Sequence, residues 1–340
     1  MKKFISAILV SAMAMSLMAC GSSAATTDAE DTASDAAVEE TSADAGAESY
    51  NVGVLQLVQH PALDAATEGF EAALKEKLGD SVTVTIENAA GDTPTCSTIA
   101  NQFVSEGVDL IMANATPALQ ACQAATADIP IVATSITDYA TALSIDGWTG
   151  ATGTNITGTA DLAPLDGQAQ MLNELFPEAK NVGIIYCAAE ANSVYQSTTI
   201  TGYLEEMGYT VKEYTFSDSN DVAAVVQSAC DESDVIYVPT DNTAASCAET
   251  INNVAITAGV PIIAGEEGIC KGCGIATLSI SYYDIGYAAG MMAYEILVNG
   301  ADPATMDVQY ATEFTKEYNA DIAEKLGVAI PEDYVAIEME

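Results

Sequence analysis

Residues 52–64 read Val52-Gly53-Val54-Leu55-Gln56-Leu57-Val58-Gln59-His60-Pro61-Ala62-Leu63-Asp64. An apolar, strand-like run ends at a polar pair, and proline then stands where the first turn of a helix begins. The same succession recurs along the chain. Strand-like runs fall at 52–58, 82–87, 108–113 and 129–134, then again at 182–186, 210–216, 235–238 and 260–264. Helical segments are expected near 62–78, 95–106, 117–127, 191–207, 220–230 and 243–257. Strand–helix alternation at this spacing builds βαβ units, in which helices bury a parallel sheet. Two such sets, parted by a Gly/Thr/Asp-rich stretch at 146–163, predict an α/β protein of two doubly wound parallel-sheet lobes. A multi-strand hinge would join the lobes, with a ligand cleft between them. A strand-like crossing at 275–280 leads to a long helix at 283–299 that is expected to return to the first lobe, and the tail at 312–340 crosses back. The first lobe is then 50–160 plus about 281–310, and the second 161–280 plus about 311–340.

Of the 340 residues, 49 are acidic and nine basic, a formal charge of −40, and every basic residue is lysine. Nucleic-acid phosphate needs clustered Lys and Arg, so no nucleic-acid partner is expected. An apolar content of 49% argues for packed lobes rather than a disordered acidic chain. With a single His, metal sites and His-dependent catalysis are disfavoured, and neither a metal nor a cofactor is expected.

The chain opens on Lys2 and Lys3, followed by an apolar run from 4 to 18 and then Ala19-Cys20-Gly21-Ser22. That is the order of a secretory signal peptide, residues 1–19, and the run is short of the roughly 20 residues a membrane-spanning helix requires. Leu17-Met18-Ala19-Cys20 looks like a lipobox, which implies lipidation (palmitate) at Cys20 and a lipid-anchored position on the outer face of the cell membrane. Residues 20–49 hold eight acids, no base and one Val, the composition of a disordered tether.

Four expected helices carry proline at their start: His60-Pro61, Thr93-Pro94, Thr116-Pro117 and Ala163-Pro164, with Thr93 and Thr116 read as N-caps. In parallel sheets these starts follow the carboxyl ends of strands, where ligands bind. Two lobes facing across a hinge bring both sets of helix starts to one cleft, a clamp for a small molecule.

The segments Gln59-His60-Pro61-Ala62-Leu63-Asp64, Ala113-Asn114-Ala115-Thr116-Pro117-Ala118, Val238-Pro239-Thr240-Asp241-Asn242-Thr243 and Gly265-Glu266-Glu267-Gly268 resemble the TrpX-type substrate-binding lipoproteins of ABC transporters. The resemblance runs from about residue 52 to 327. It implies a type I periplasmic-binding-protein fold, no enzymatic activity, and delivery of an amino acid, usually aromatic, to a permease and its ATPase. The protein is expected to be monomeric.

A buried amino acid needs partners for its carboxylate, its ammonium and its side chain. Thr116, at a helix start, offers a hydroxyl and neighbouring N–H groups to the carboxylate, or is a plain cap. Asp241 is a candidate acceptor for the ammonium with Asn242 orienting it, and Glu267 or Glu266 a second acceptor; the competing readings are caps, turns and solvated charges. His60 is placed to stack on or donate to the ligand. Asn88, with Asp92, and Asn192 with Ser193 complete the candidate lining. Tyr283, with Tyr186 and Tyr282, is a candidate for the apolar pocket, and Trp148 is expected to be structural.

Beyond Cys20 there are seven cysteines, at 96, 122, 187, 230, 247, 270 and 273, an odd number without a disulfide framework. Cys270-Lys271-Gly272-Cys273 is the one C-x-x-C, read as a local disulfide or two free thiols. The competing functions are binding of a branched amino acid or a nucleoside, a sensor subunit for a membrane kinase, and an extracytoplasmic thiol oxidoreductase acting through Cys270 and Cys273.

Overall fold

In the computed structural model the described residues are 49–339. The expected leader at 1–19, the expected lipidation site Cys20 and the acidic tract up to residue 48 lie outside them.

The first sheet is laid down by β1 (Tyr50–Gln56), β2 (Val82–Asn88), β3 (Leu110–Asn114), β4 (Ile131–Ile136) and β5 (Ile156–Ala160). The helices between them are α1 (Pro61–Leu78), α2 (Thr93–Glu106), α3 (Thr116–Ala125) and the short α4 (Tyr139–Leu143). The chain then enters the second lobe through α5 (Leu165–Leu175). There β6 (Asn181–Cys187), β7 (Thr210–Phe216), β8 (Val235–Val238), β9 (Ile262–Ala264) and β10 (Ala276–Ser279) alternate with α6 (Ala191–Glu206), α7 (Val222–Cys230), α8 (Asn242–Ser246), α9 (Ala248–Ala258) and α10 (Glu267–Gly272). Helix α11 (Tyr282–Asn299) and β11 (Gln309–Tyr310) belong to the first lobe, whereas β12 (Thr315–Tyr318), α12 (Ala320–Leu326) and β13 (Val335–Ala336) close the second. Strand orders are β11-β5-β4-β3-β1-β2 and β13-β12-β10-β9-β8-β6-β7.

Both faces of each sheet are covered, as buried parallel strands require. In the first lobe Phe103, Leu119 and Cys96 pack on one face while Phe70, Leu74, Met292 and Ile296 pack on the other. In the second, Val226, Ile251 and Ile269 oppose Leu172, Ile200 and Ile322 across the sheet. Helices α1 and α11 approach until their backbones touch. A Cβ at Gly286 would lie 2.0 Å from the carbonyl oxygen of Ala66, and one at Gly69 would lie 2.1 Å from that of Tyr283. Only glycine permits this contact, which seats α11 on the first lobe although its chain arrives from the second.

The structure departs from the sequence reading at several points. The second sheet is mixed, because β12 runs antiparallel to β10. The stretch 146–163 is more than a separator: residues 156–160 form β5, paired parallel to β4. Residues 276–279 are an integral strand, β10, paired to β9, and the crossing begins only after it. The N-cap of α2 is Asp92, whose carboxylate accepts from Thr95 N–H, so Thr93 is the first helical residue. Thr116 is likewise the first residue of α3, capped by Ala115 without a side-chain bond. In keeping with the structural role expected of it, Trp148 stacks on Tyr139 at 6.2 Å against the first-lobe core.

Candidate functional site

The carboxyl ends of both sheets face each other, and three crossings, after β5, β10 and β11, connect them. Where the lobes meet, His60, Leu63, Ser135 and Asp161 from the first come against Asn192, Thr240, Asp241, Asn242, Ala245 and Glu266 from the second, with Tyr282 at the start of α11. The cavity they enclose is about 10 Å³, room for about one water. Small-molecule pockets typically need ~300–1,000 Å³, so the lobes are closed and must part to admit a ligand.

Hydrogen bonds cross the closed cleft. His60 Nε2 lies 3.3 Å from Asn242 Oδ1. Asn242 Nδ2 donates to Glu190 Oε2 at 2.6 Å, which leaves Oδ1 the acceptor and makes His60 the Nε2–H tautomer. Burial pushes the His60 imidazole below its ordinary pKa, which keeps it neutral at pH 7. On the other side, Gln196 Nε2 donates to Thr137 Oγ1 at 3.3 Å. At the hinge, Asp161 accepts from Thr137 Oγ1 at 3.1 Å and from Tyr282 OH at 2.9 Å, tying the first crossing to the start of α11.

The electrostatics are one-sided. Glu190, buried after β6, accepts from the N–H and side-chain amide of Asn242 and from the N–H and hydroxyl of Thr243. Asp241 caps α8 through Ala244 N–H and ties β6 through Cys187 N–H, both at 2.7 Å. Burial, reinforced by the nearby Glu190 charge, raises its pKa. Glu266 is 2% exposed and caps α10 through Gly268 and Ile269 N–H. Burial lifts the Glu266 carboxyl to about 7 and that of Asp161 to about 6. No lysine lines the cavity, and the chain has no arginine. A site of buried carboxyls without a cation calls for a positively charged group from outside.

Three buried polar atoms of this cavity lack a hydrogen-bond partner: His60 Nδ1, Ser135 Oγ and Asn192 Oδ1. Unsatisfied buried polar groups cost about 1–3 kcal/mol each, and their convergence on one cavity marks where a ligand completes the network.

Of the residues singled out from sequence, His60, Asn192, Asp241, Asn242, Glu266 and Tyr282 meet at the cavity, and Ser193 is buried beside Asn192. Thr116 is buried at the head of α3 but is not among the residues that line the cavity. Asn88 is exposed and turns the chain by accepting from Ala90 N–H. Glu267 and Tyr283 line an outer groove beside the hinge with Lys271 and Glu317; Tyr283 is 39% exposed and stacks on Tyr287 at 6.4 Å. Tyr186 belongs to the second-lobe core, with its hydroxyl on Glu213. Glu266 takes the cap reading, buried at the start of α10. Asp161, Glu190, Ser135 and Gln196 were not anticipated. An acid just before a helix start, Glu190-Ala191-Asn192, was the available signal for one of them.

All seven described cysteines are free thiols. Cys270 and Cys273 are fully buried and burial pushes both thiols far up, against any redox role. Among the described residues no group of three or more His, Cys, Asp or Glu is arranged to hold a metal ion. None of the described helices is long and apolar enough to cross a membrane.

Two α/β lobes closing over a polar cavity at the carboxyl ends of their strands define a binding protein of the type I periplasmic-binding-protein fold. The chain belongs to the ABC transporter substrate binding protein family, whose model matches residues 51–339. This is a class of receptors rather than enzymes. A tyrosine-binding protein of Clostridioides difficile is 39% identical over 250 residues, 73% of this chain and 72% of that protein. The ABC domain from Streptococcus pneumoniae solved in complex with L-Trp is 33% identical, with a TM-score of 0.80 over 84% of this chain and 97% of that one. The ligand-free, open structure of a substrate binding protein with adhesive properties from Clostridium difficile is 35% identical over 86% of this chain and 100% of that one, at a TM-score of 0.65. A lower score against an open form at similar identity is what the closed lobes of this chain produce.

Proposed function

We propose that this solute receptor closes over a zwitterionic aromatic amino acid, as the TrpX-type proteins it resembles do, and hands it to the importer's permease. The observation that carries this reading is the convergence of three unpartnered buried polar atoms and three buried carboxyls, without a cation, on the interlobe cavity. The ligand ammonium would supply the missing charge and its carboxylate the missing acceptor. A groove of about 350 Å³ shares Asn242 with the cavity and offers room for the side chain beside Leu57, Val58, Pro94 and Pro117, its lining also carrying Asp92, Glu190 and Asp218. What the two relatives are named for, tyrosine and L-Trp, supports an aromatic ligand. The signal at 1–19 and Cys20 support a receptor held by lipid at the outer face of the membrane. The acidic tract then serves as its tether and the protein works as a monomer.

A thermal-shift screen of L-tryptophan, L-tyrosine, L-phenylalanine, L-leucine, L-valine and uridine tests the ligand class. The aromatic amino acids should raise Tm by several degrees, following the mass-action stabilisation of a ligand that binds only the folded state. A shift with leucine, valine or uridine alone would replace the aromatic reading.

A further inference from the structure

The carboxyl end of β4 is strained in backbone and side chain at once. Ser135 has φ 58°, in the left-handed region, and the register of β4 against β5 slips between Ala133 and Ile136. Ala115, which follows the neighbouring end of β3, is also left-handed at φ 91°. Ser135 is 6% exposed, and its Oγ is one of the unpartnered atoms of the cavity. Glycine would relieve both penalties, so the hydroxyl is held where it costs stability, a pattern that gathers at ligand clamps.

The three unpartnered atoms differ in polarity. His60 Nε2 donates to Asn242, so Nδ1 is an acceptor. Asn192 Nδ2 donates to Thr240 O at 3.0 Å, so its Oδ1 is an acceptor too. Of the three, Ser135 Oγ–H alone can donate, in a cavity whose carboxyls repel an anion and whose lining lacks lysine. We propose that Ser135 donates a hydrogen bond to the ligand's carboxylate and so sets its direction, carboxylate on the β4 bulge and ammonium toward Asn192 of the second lobe. The inference rests on the amino-acid reading above and names the residue that reads the carboxylate.

The test titrates wild type, Ser135→Ala and Ser135→Gly with whichever of L-tryptophan, L-tyrosine and L-phenylalanine binds wild type best. Each is then titrated with the corresponding decarboxylated amine. Both variants should bind the amino acid about 10- to 100-fold more weakly, the range for a lost bond to a charged group. Binding of the amine should change less than about twofold. Ser135→Gly should also raise the ligand-free Tm, which separates lost recognition from lost folding. Unchanged amino-acid affinity, or equal losses for amino acid and amine, would overturn the inference. If no amino acid binds wild type, the amino-acid reading itself fails and takes this assignment with it.

Discussion

His60 Nε2 reaches 3.3 Å across the cleft to Asn242 Oδ1, and Asn242 is in turn held from behind by Glu190. The bond joins the first helix of one lobe to a short helix of the other, 182 residues along the chain. It is present only when the lobes are shut, so it biases the closed state. A single hydrogen bond contributes about 0.5–1.5 kcal/mol net, up to roughly a tenfold change in population.

His60→Ala should therefore lower ligand affinity by about three- to tenfold and enlarge the ligand-free radius of gyration in solution scattering. Unchanged affinity together with an unchanged radius would show that the bond does not govern closure.

The buried carboxyls make binding depend on pH. Asp161 and Glu266 have folded-state pKa values of about 6 and 7 against ordinary values of 3.8 and 4.5. A carboxyl raised in this way stabilises the fold in its protonated form. Its contribution is complete below about pH 4 and is lost as pH rises through 6–7. The ligand-free Tm should therefore fall between pH 5 and pH 8. Affinity for the amino acid should rise over the same interval, because its ammonium favours the ionised acids. The gain is about tenfold for each unit by which a bound ammonium draws a carboxyl's pKa down. Asp161→Asn should flatten the Tm profile near pH 6; a profile unchanged in that variant would remove Asp161 from the account.

The contact of α1 with α11 admits no side chain at Gly286. Gly286→Ala should destabilise the protein by about 1–3 kcal/mol, the usual cost of overpacking, seen in chemical denaturation as a lower midpoint at constant m. Because α11 starts at Tyr282, which lines the cavity, ligand affinity should fall as well. Wild-type stability would mean that the helices separate without penalty.

Thiol reactivity should follow burial. Cys247 is the one partly exposed cysteine among the described residues, and it should react with a thiol reagent in the native protein while the other six wait for unfolding. Replacing Cys270 and Cys273 with serine should leave ligand affinity within about twofold, since neither lines the cavity. A large loss would revive a role for the C-x-x-C pair.

The two-lobed fold was legible because strand-helix alternation repeats with proline at helix starts, a local signal. Strand β5 was hidden by its own composition, Ile156-Thr157-Gly158-Thr159-Ala160, which reads as loop. Gly158 is there because a Cβ would lie 1.9 Å from the carbonyl oxygen of Ala133. At the site, Asp241 and Asn242 stood out as polar residues after a strand. Glu190 was marked only by its place before a helix start; its partners lie 52 and 53 residues away and only topology joins them. Asp161 meets Tyr282 across 121 residues, through two interlobe crossings. Ser135 sits inside a strand whose bulge leaves no mark in composition. Thr116 looked like a cap because the threonine-proline pair was read one residue out of register with the helix.

Calorimetric titration of the wild-type protein with L-tryptophan or L-tyrosine at pH 6.5 tests the central claim most directly. One site should saturate with a dissociation constant of about micromolar or tighter. The heat should vary with the buffer's ionisation enthalpy, because protons leave Asp161 and Glu266 as the ammonium enters. No saturable heat with any aromatic amino acid at millimolar concentration would contradict the account.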